Sequence, residues 1–394
     1  MPIIDGIANI DAREIERRRE RVRRAWNYLP VDHLPIAIFL ELSDGHTLRE
    51  ICEDGQLQFE LNYRAIDRLL RVFPDDYLPA ARVWPGYMTL ATMFGLPVHW
   101  SDDPNQAPGV REHPITDMAQ VYDLPRPDPA TAGLMPFNLQ WLRYYAGHFP
   151  PKVAIAGIDL GGPMNMAKDL LDTDLLYLAF YDEPEAFHHL LSLAADMQVG
   201  CCREIVRAVG DLNRMTCIDF DPTWAPEGQK GFVSDDVCAS FSPEIFRDFS
   251  VPYNNRIFRE WPGGRIHNCG PNPSIGLYLD HTPPINGLNC SFRHTRADLP
   301  RIKEAFKGRG IVEFMFDFGE SVEEIITGYE EIANTLAPDV IGIPMLWFTE
   351  EWSDEAMLEA YHGLVRIGER YAREMSEPFR DAAELQRAAQ KPWV

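Results

Sequence analysis

Short, almost continuously apolar runs recur along this chain, separated by stretches whose apolar positions return every three to four residues. The runs are Ile36–Leu40, Val153–Leu160, Met215–Phe220, Arg265–Cys269, Ile285–Ser291, Ile311–Phe316 and Val340–Leu346. Each has the length of a strand, and apolar side chains on both faces predict a parallel sheet covered on both sides. Between them lie helical patterns such as PMNMAKDLLDTDLLYLAFYD, EPEAFHHLLSLAADMQVGCCREIVRAVG and SVEEIITGYEEIANTLA. An eighth strand is expected in the irregular, Pro- and Trp-rich stretch Tyr77–Trp100. Strand–helix alternation without a GxGxxG turn predicts an α/β fold of the TIM-like (β/α)8 barrel type. Asp11 is a plausible N-cap for a helix that stops before Pro30. The expected organisation is an N-terminal helical extension over 1–30, the barrel over 31–375 and a polar tail over 376–394.

Charge narrows the partners. Lys and Arg number 37 against 60 Asp and Glu, a formal net charge of −23. Nothing offsets repulsion from a phosphate backbone, so nucleic acid is excluded as a partner. No apolar run approaches the ~18 residues of a membrane span. The N-terminus lacks the order of a secretory signal, which predicts a cytoplasmic protein. Seven scattered cysteines, an odd number without regular spacing, read as reduced thiols. One basic stripe stands out in the first helix: Arg17, Arg18, Arg19, Arg21, Arg23 and Arg24. It reads either as a solvated face with intrahelical Glu–Arg pairs or as a docking surface for an acidic partner or a second subunit. The oligomeric state is left open, with a homodimer among the options.

In such barrels the working residues sit where strands end. RIHNCG places His267 and Cys269 at i, i+2, on one face, and the next strand, INGLNCSF, brings Cys290. One imidazole and two thiols form a set suited to zinc with a fourth position open, or else ordinary buried residues. MTCIDFDPTW ends in Asp219 and Asp221, followed by Trp224. Paired carboxylates there hold a metal, a cationic group or a proton in transit, or simply cap the next helix. Asp159, the Gly161–Gly162–Pro163 turn and Asn165 follow the strand VAIAGIDL. They are candidates for substrate contact, as is Trp347 after the last strand; Arg293 and His294 are candidates for binding a carboxylate, or for a surface ion pair. There is no P-loop, GxSxG elbow, HExxH or CxxC.

Three segments resemble the uroporphyrinogen decarboxylase-like superfamily: GIDLGGPMNMAKDLLDTDLLYLAFYDEPEAFHHLL, GFVSDDVCASFSPEIFRDFSVPYNNRIFREWPGGRIHNCG and INGLNCSFRHTRADLPRIKEAFKGR. Their order matches and the resemblance covers roughly residues 30–373. It implies a TIM-like barrel and one of two chemistries. True uroporphyrinogen decarboxylases carry an arginine-bearing N-terminal segment that grips propionates. Here the first strand region, PIAIFLELSDGHTLRE, offers only Arg49. The other branch is similar to corrinoid-dependent methyltransferases, including the methylcobamide:coenzyme M enzymes, whose zinc is held by H-x-C and a distant Cys in the last barrel strand. His267 and Cys269 match the first two ligands, but the last strand, IGIPMLWF, has no Cys. Either Cys290 substitutes or the site is altered. The leading expectation is a corrinoid-linked C1 methyltransferase or demethylase with zinc at His267, Cys269 and Cys290. In it Asp219, Asp221 and His267 are catalytic, and methylcobalamin is delivered by a partner corrinoid protein. The alternatives are a decarboxylase of a small or tetrapyrrole-like carboxylate and a non-catalytic corrinoid or tetrapyrrole carrier.

Overall fold

The computed structural model describes residues 7, 10–84, 88–317 and 319–375; the tail at 376–394 lies outside them. Eight short parallel strands follow one another: β1 (Ala37–Glu41), β2 (Ala80–Ala81), β3 (Ala154–Ile155), β4 (Phe232–Ser234), β5 (Arg265–His267), β6 (Gly287–Ser291), β7 (Ile311–Phe316) and β8 (Ile341–Thr349). Six form one sheet in the order β1-β8-β7-β6-β5-β4, and β2 pairs with β3. Between β3 and β4 the chain at 215–218 fills the wall. Met215 bridges to Ile155, and the Ile218 N–H donates to the Lys230 carbonyl at 3.0 Å. With helices around it, the curled sheet is a TIM-like (β/α)8 barrel.

Two expectations are corrected. Met215–Phe220 is no ladder strand; it makes one bridge, at Met215, and then bends, and the fourth strand is the short Phe232–Ser234, too brief for its pattern to stand out. The single helix expected over 163–182 is two, Pro163–Leu170 and Thr173–Asp182, because the Asp172 side chain caps the Leu175 N–H and starts a new helix. The eighth strand does fall inside the 77–100 stretch, as Ala80–Ala81. Every residue of β7 is buried, as the two-sided apolar pattern requires.

The arginine stripe divides: Arg17 is exposed and pairs with Glu14 in its own helix, as Arg23 does with Glu16 and Glu20, whereas Arg18 and Arg21 are buried. The helix Ala12–Trp26, capped by Asp11, lies across the N-terminal end of the barrel. Arg18 donates to the carbonyls of Tyr77 (2.7 Å) and Pro74 (3.0 Å). Arg21 is buried and binds Asp32 (2.7 Å), Asp75 (2.9 Å) and Asp76 (3.0 Å). Trp26 from this helix and Trp224 line the floor beneath the strands. Arg19, Arg23 and Lys230 sit over the Trp224 ring at 5.1, 5.3 and 4.7 Å. Trp224 is thus a fully enclosed floor residue, not the substrate contact expected of it.

Candidate active site

The C-terminal ends of the strands open into a cleft of about 970 Å³, a size suited to a small-molecule substrate. At its inner wall three potential ligands meet: Asp236 just past β4, His267 at the end of β5, and Cys269 two residues on, all with donor atoms within 4.8 Å of one another. His267 Nε2 lies 3.3 Å from Cys269 Sγ and 3.3 Å from Asp236 Oδ1. The β4–β5 register pairs Ser234 with His267, which brings the next turn, with Asp236, against the imidazole.

Cys290 does not join them. The β5–β6 register sets Asn289 opposite His267, and alternation along the strand turns the neighbouring Cys290 to the other face. It is fully buried, and burial pushes its thiol up to about 12. The third donor is therefore a carboxylate from the preceding strand rather than a thiol from the following one. The signal for it was the Asp-Asp pair of GFVSDD, shortly before the Ser-Pro-Glu helix start.

Beneath the cluster lies a buried polar layer. Arg265, two residues before His267 on β5, binds Glu313 at 2.7 Å and Asp221 at 3.2 Å, all but sealed from solvent. Asn289 Nδ2 donates to Asp221 (3.1 Å) and Glu313 (3.2 Å). This fixes the amide, so that Asn289 Oδ1 faces His267 Nδ1 at 2.7 Å. The imidazole then carries a proton on Nδ1, and Nε2 points to Asp236 and Cys269, which raise the ring's pKa well above its ordinary value although burial works to lower it. Asp221 accordingly belongs to this supporting layer and not to the cleft. Burial pushes Glu313 up to about 7, with Arg265 opposing and Asp221 adding to the rise.

The remaining acids differ in kind. Burial works against the charge on Asp236, yet His267 and hydrogen bonds from the Cys269 N–H (3.0 Å) and Ser234 hydroxyl (2.8 Å) hold it well below the usual carboxylate range. Asn165 touches the same carboxylate at 3.4 Å and the Ser234 carbonyl at 3.3 Å. Asp159 lines the cleft; burial first, then Asp236, push it up to about 6. Asp219 lies just behind, fully buried, accepting from the Phe220 and Leu160 N–H groups at 2.8 and 3.3 Å. Its Oδ2 has no partner among the described residues, and burial together with Asp159 raises it well above the ordinary value.

Gly161 has φ +65°, and a Cβ on Gly162 would stand 2.3 Å from the Ser234 carbonyl. That turn makes room for β4, not for a ligand. Trp347 lines the cleft as expected. Arg293 and His294 do not: both are exposed on the short helix Phe292–Thr295, where Arg293 pairs with Glu320 at 3.3 Å. Missed altogether were Asp236, Asn289, and the pair Arg82–Glu41, joined at 2.6 Å between the ends of β2 and β1.

The donor set of imidazole nitrogen, thiol sulfur and carboxylate oxygen fits zinc, and the cleft leaves a further position open to a ligand. Asn289 already supplies the outer hydrogen bond that a metal-bound histidine needs. Among the described residues no helix is long and apolar enough to cross a membrane.

Known proteins agree with this architecture. A solved methyltransferase from Methanosarcina mazei superposes with a TM-score of 0.66 over 90% of this chain and 98% of that one, at 18% identity, a likeness of fold. The uroporphyrinogen decarboxylase of Thioalkalivibrio sulfidiphilus is 23% identical over 272 residues, 64% of this chain and 69% of that protein. The one from Xanthomonas axonopodis pv. citri is 24% identical over 267 residues, 63% and 66%. The family model described as uroporphyrinogen decarboxylase (URO-D) matches residues 17–290. More than half of the chain falls within that match, and the chain belongs to the URO-D family.

Proposed function

We propose that this enzyme is a corrinoid-linked C1 methyltransferase or demethylase. It moves a methyl group between a corrinoid, carried on a partner protein, and a small thiol- or oxygen-bearing compound. The observation that carries this reading is the convergence of Asp236, His267 and Cys269 on one point of the cleft wall. Zinc held there would act as a Lewis acid, favouring the ionised form of a bound thiol or hydroxyl. His267 presents Nε2 because Asn289 occupies Nδ1, and Asn165 with Ser234 steadies Asp236. Asp159, pushed up to about 6 chiefly by burial, stands in the same cleft to take a proton from the acceptor or return it. Phe39, Trp84 and Trp347 give the cleft an aromatic wall for an apolar substrate body.

A second reading, decarboxylation, is favoured by the relatives, which are uroporphyrinogen decarboxylases. Against it, the cleft has one guanidinium among its described lining residues, a poor match for a polycarboxylate. The test is direct. The purified chain should hold close to one zinc and should interconvert methylcobalamin and cob(I)alamin, read by their ultraviolet–visible spectra, when given an acceptor. No transition metal after reconstitution under reducing conditions would remove the zinc mechanism. Conversion of uroporphyrinogen to coproporphyrinogen would establish the decarboxylase instead. A chain inert in both assays yet binding the corrinoid would be a carrier.

A further inference from the structure

Among the described residues lining the cleft, Arg82, just past β2, is the one Lys or Arg. Its side chain is 6% exposed. The guanidinium carbon lies 4.4 Å from the Trp84 ring centre, 5.0 Å from Trp347 and 5.2 Å from Phe39. Three rings pack around the guanidinium at these distances, and an anion would bind it through its N–H groups. A guanidinium has five N–H donors; one bonds Glu41 at 2.6 Å, and among the described residues no other protein acceptor meets the group. Burial lowers the pKa of this group, with Glu41 and Asp159 opposing only in part. A buried cation held rigidly, with donors left over at a cleft wall, is built to receive an anion.

We propose that Arg82 anchors the carboxylate of a substrate that has a flat, apolar body and a single negative charge. The carboxylate oxygens accept paired N–H bonds from the free guanidinium edge, while the body lies against the Trp84 and Trp347 rings. One charge is the limit because, His46 and His267 apart, the other titratable side chains around the cleft are carboxyl groups and the Cys269 thiol, the acids including Asp236, Asp317, Glu350 and Glu351. A polycarboxylate would meet repulsion from them. Arg82, Asp159 and the Asp236–His267–Cys269 cluster line the same cleft, so a molecule held at Arg82 lies in the chamber that the cluster faces.

This assignment rests on reading the cleft as the reaction chamber, but it concerns binding alone, so neither metal, corrinoid nor turnover enters its test. Titration calorimetry and tryptophan fluorescence on the metal-free full chain would compare benzoate, the neutral benzamide and benzene-1,3,5-tricarboxylate. Benzoate should bind more tightly than either of the others. Arg82→Met should weaken benzoate at least about tenfold, roughly 1.4 kcal/mol, and leave benzamide unchanged, with circular dichroism confirming the fold. The wild-type selectivity series stands even if that variant does not fold. Equal binding of benzoate and benzamide, a preference for the tricarboxylate, or no saturable benzoate binding in the millimolar range would each overturn the proposal. So would unchanged benzoate binding in a folded Arg82→Met. Loss of methyl transfer with the benzoate selectivity intact would instead count against the reaction and not against the anchor.

Discussion

The two ends of this barrel handle charge in opposite ways. At the closed end, Arg17, Arg21 and Arg23 reach carboxylates of their own chain at 2.9 Å or less, and cations cover the Trp224 ring. At the open end, among the described residues, Asp219 keeps an unpartnered oxygen, Asp159 is pushed up to about 6, and Arg82 meets one protein acceptor, Glu41. The closed end meets these arginines with carboxylates, as a region serving stability should, although Arg18 Nε, Arg19 Nε and Trp224 Nε1 have no hydrogen-bond partner among the described residues. The open end holds poorly compensated polar groups, as a region awaiting a ligand does. Strand β5 joins the two regimes: Arg265 belongs to the sealed layer, and His267, two residues later on the same face, belongs to the cleft.

The largest expected effect would come from breaking the sealed layer. Arg265→Met leaves Glu313 and Asp221 buried without their cation, and should cost about 3–5 kcal/mol of folding stability. Denaturant unfolding measures it; a loss below about 1 kcal/mol would mean that the layer is solvated and the contrast false. Next comes the mouth. Cys269→Ala and Asp236→Asn should each weaken zinc binding by about 3 kcal/mol, one ligand's share of the ~10–16 kcal/mol of structural sites. The metal-free melting temperature should hardly move. Cys290→Ala should keep its zinc, and chelator competition distinguishes these outcomes.

A smaller effect tests the join between the regimes. Asn289→Leu removes the acceptor at His267 Nδ1 and should lower zinc affinity roughly 10–100-fold. Nitrogen NMR of the imidazole should show the fixed Nδ1–H tautomer replaced by a mixture. A variant with lower affinity but an unaltered tautomer would make Asn289 a packing residue only. The smallest effect concerns acid. The Arg21 hydrogen bond, opposed by burial, pushes Asp32 down to about 2 from its ordinary 3.8. A depressed carboxylate contributes stability that is complete above the unfolded value and is lost as pH falls through the folded one. Melting temperature should therefore drop between about pH 4 and pH 2, and Asp32→Asn should flatten that slope. Because Asp32 is largely exposed, the change should be modest.

Much of the fold was legible because strands such as Ile311–Phe316 are apolar on both faces and helices such as Val322–Leu336 carry their own caps. Phe232–Ser234 escaped because three residues make no period, while Met215–Phe220 imitated a strand it does not form. In the site, His267 and Cys269 were legible because both sit at i, i+2 on one strand end. Asp236 and Asn289 were not, because their roles depend on register between strands. By itself the sequence determined the alternation of elements, the acidic balance and the H-x-C pair, all of which are local patterns of side chains. Only the tertiary structure decided that Asp236 and not Cys290 meets that pair, and that the arginine stripe closes the barrel floor. Whether two strands align at one residue or the next turns a side chain from one face of the sheet to the other, and that choice is made by packing across the whole barrel.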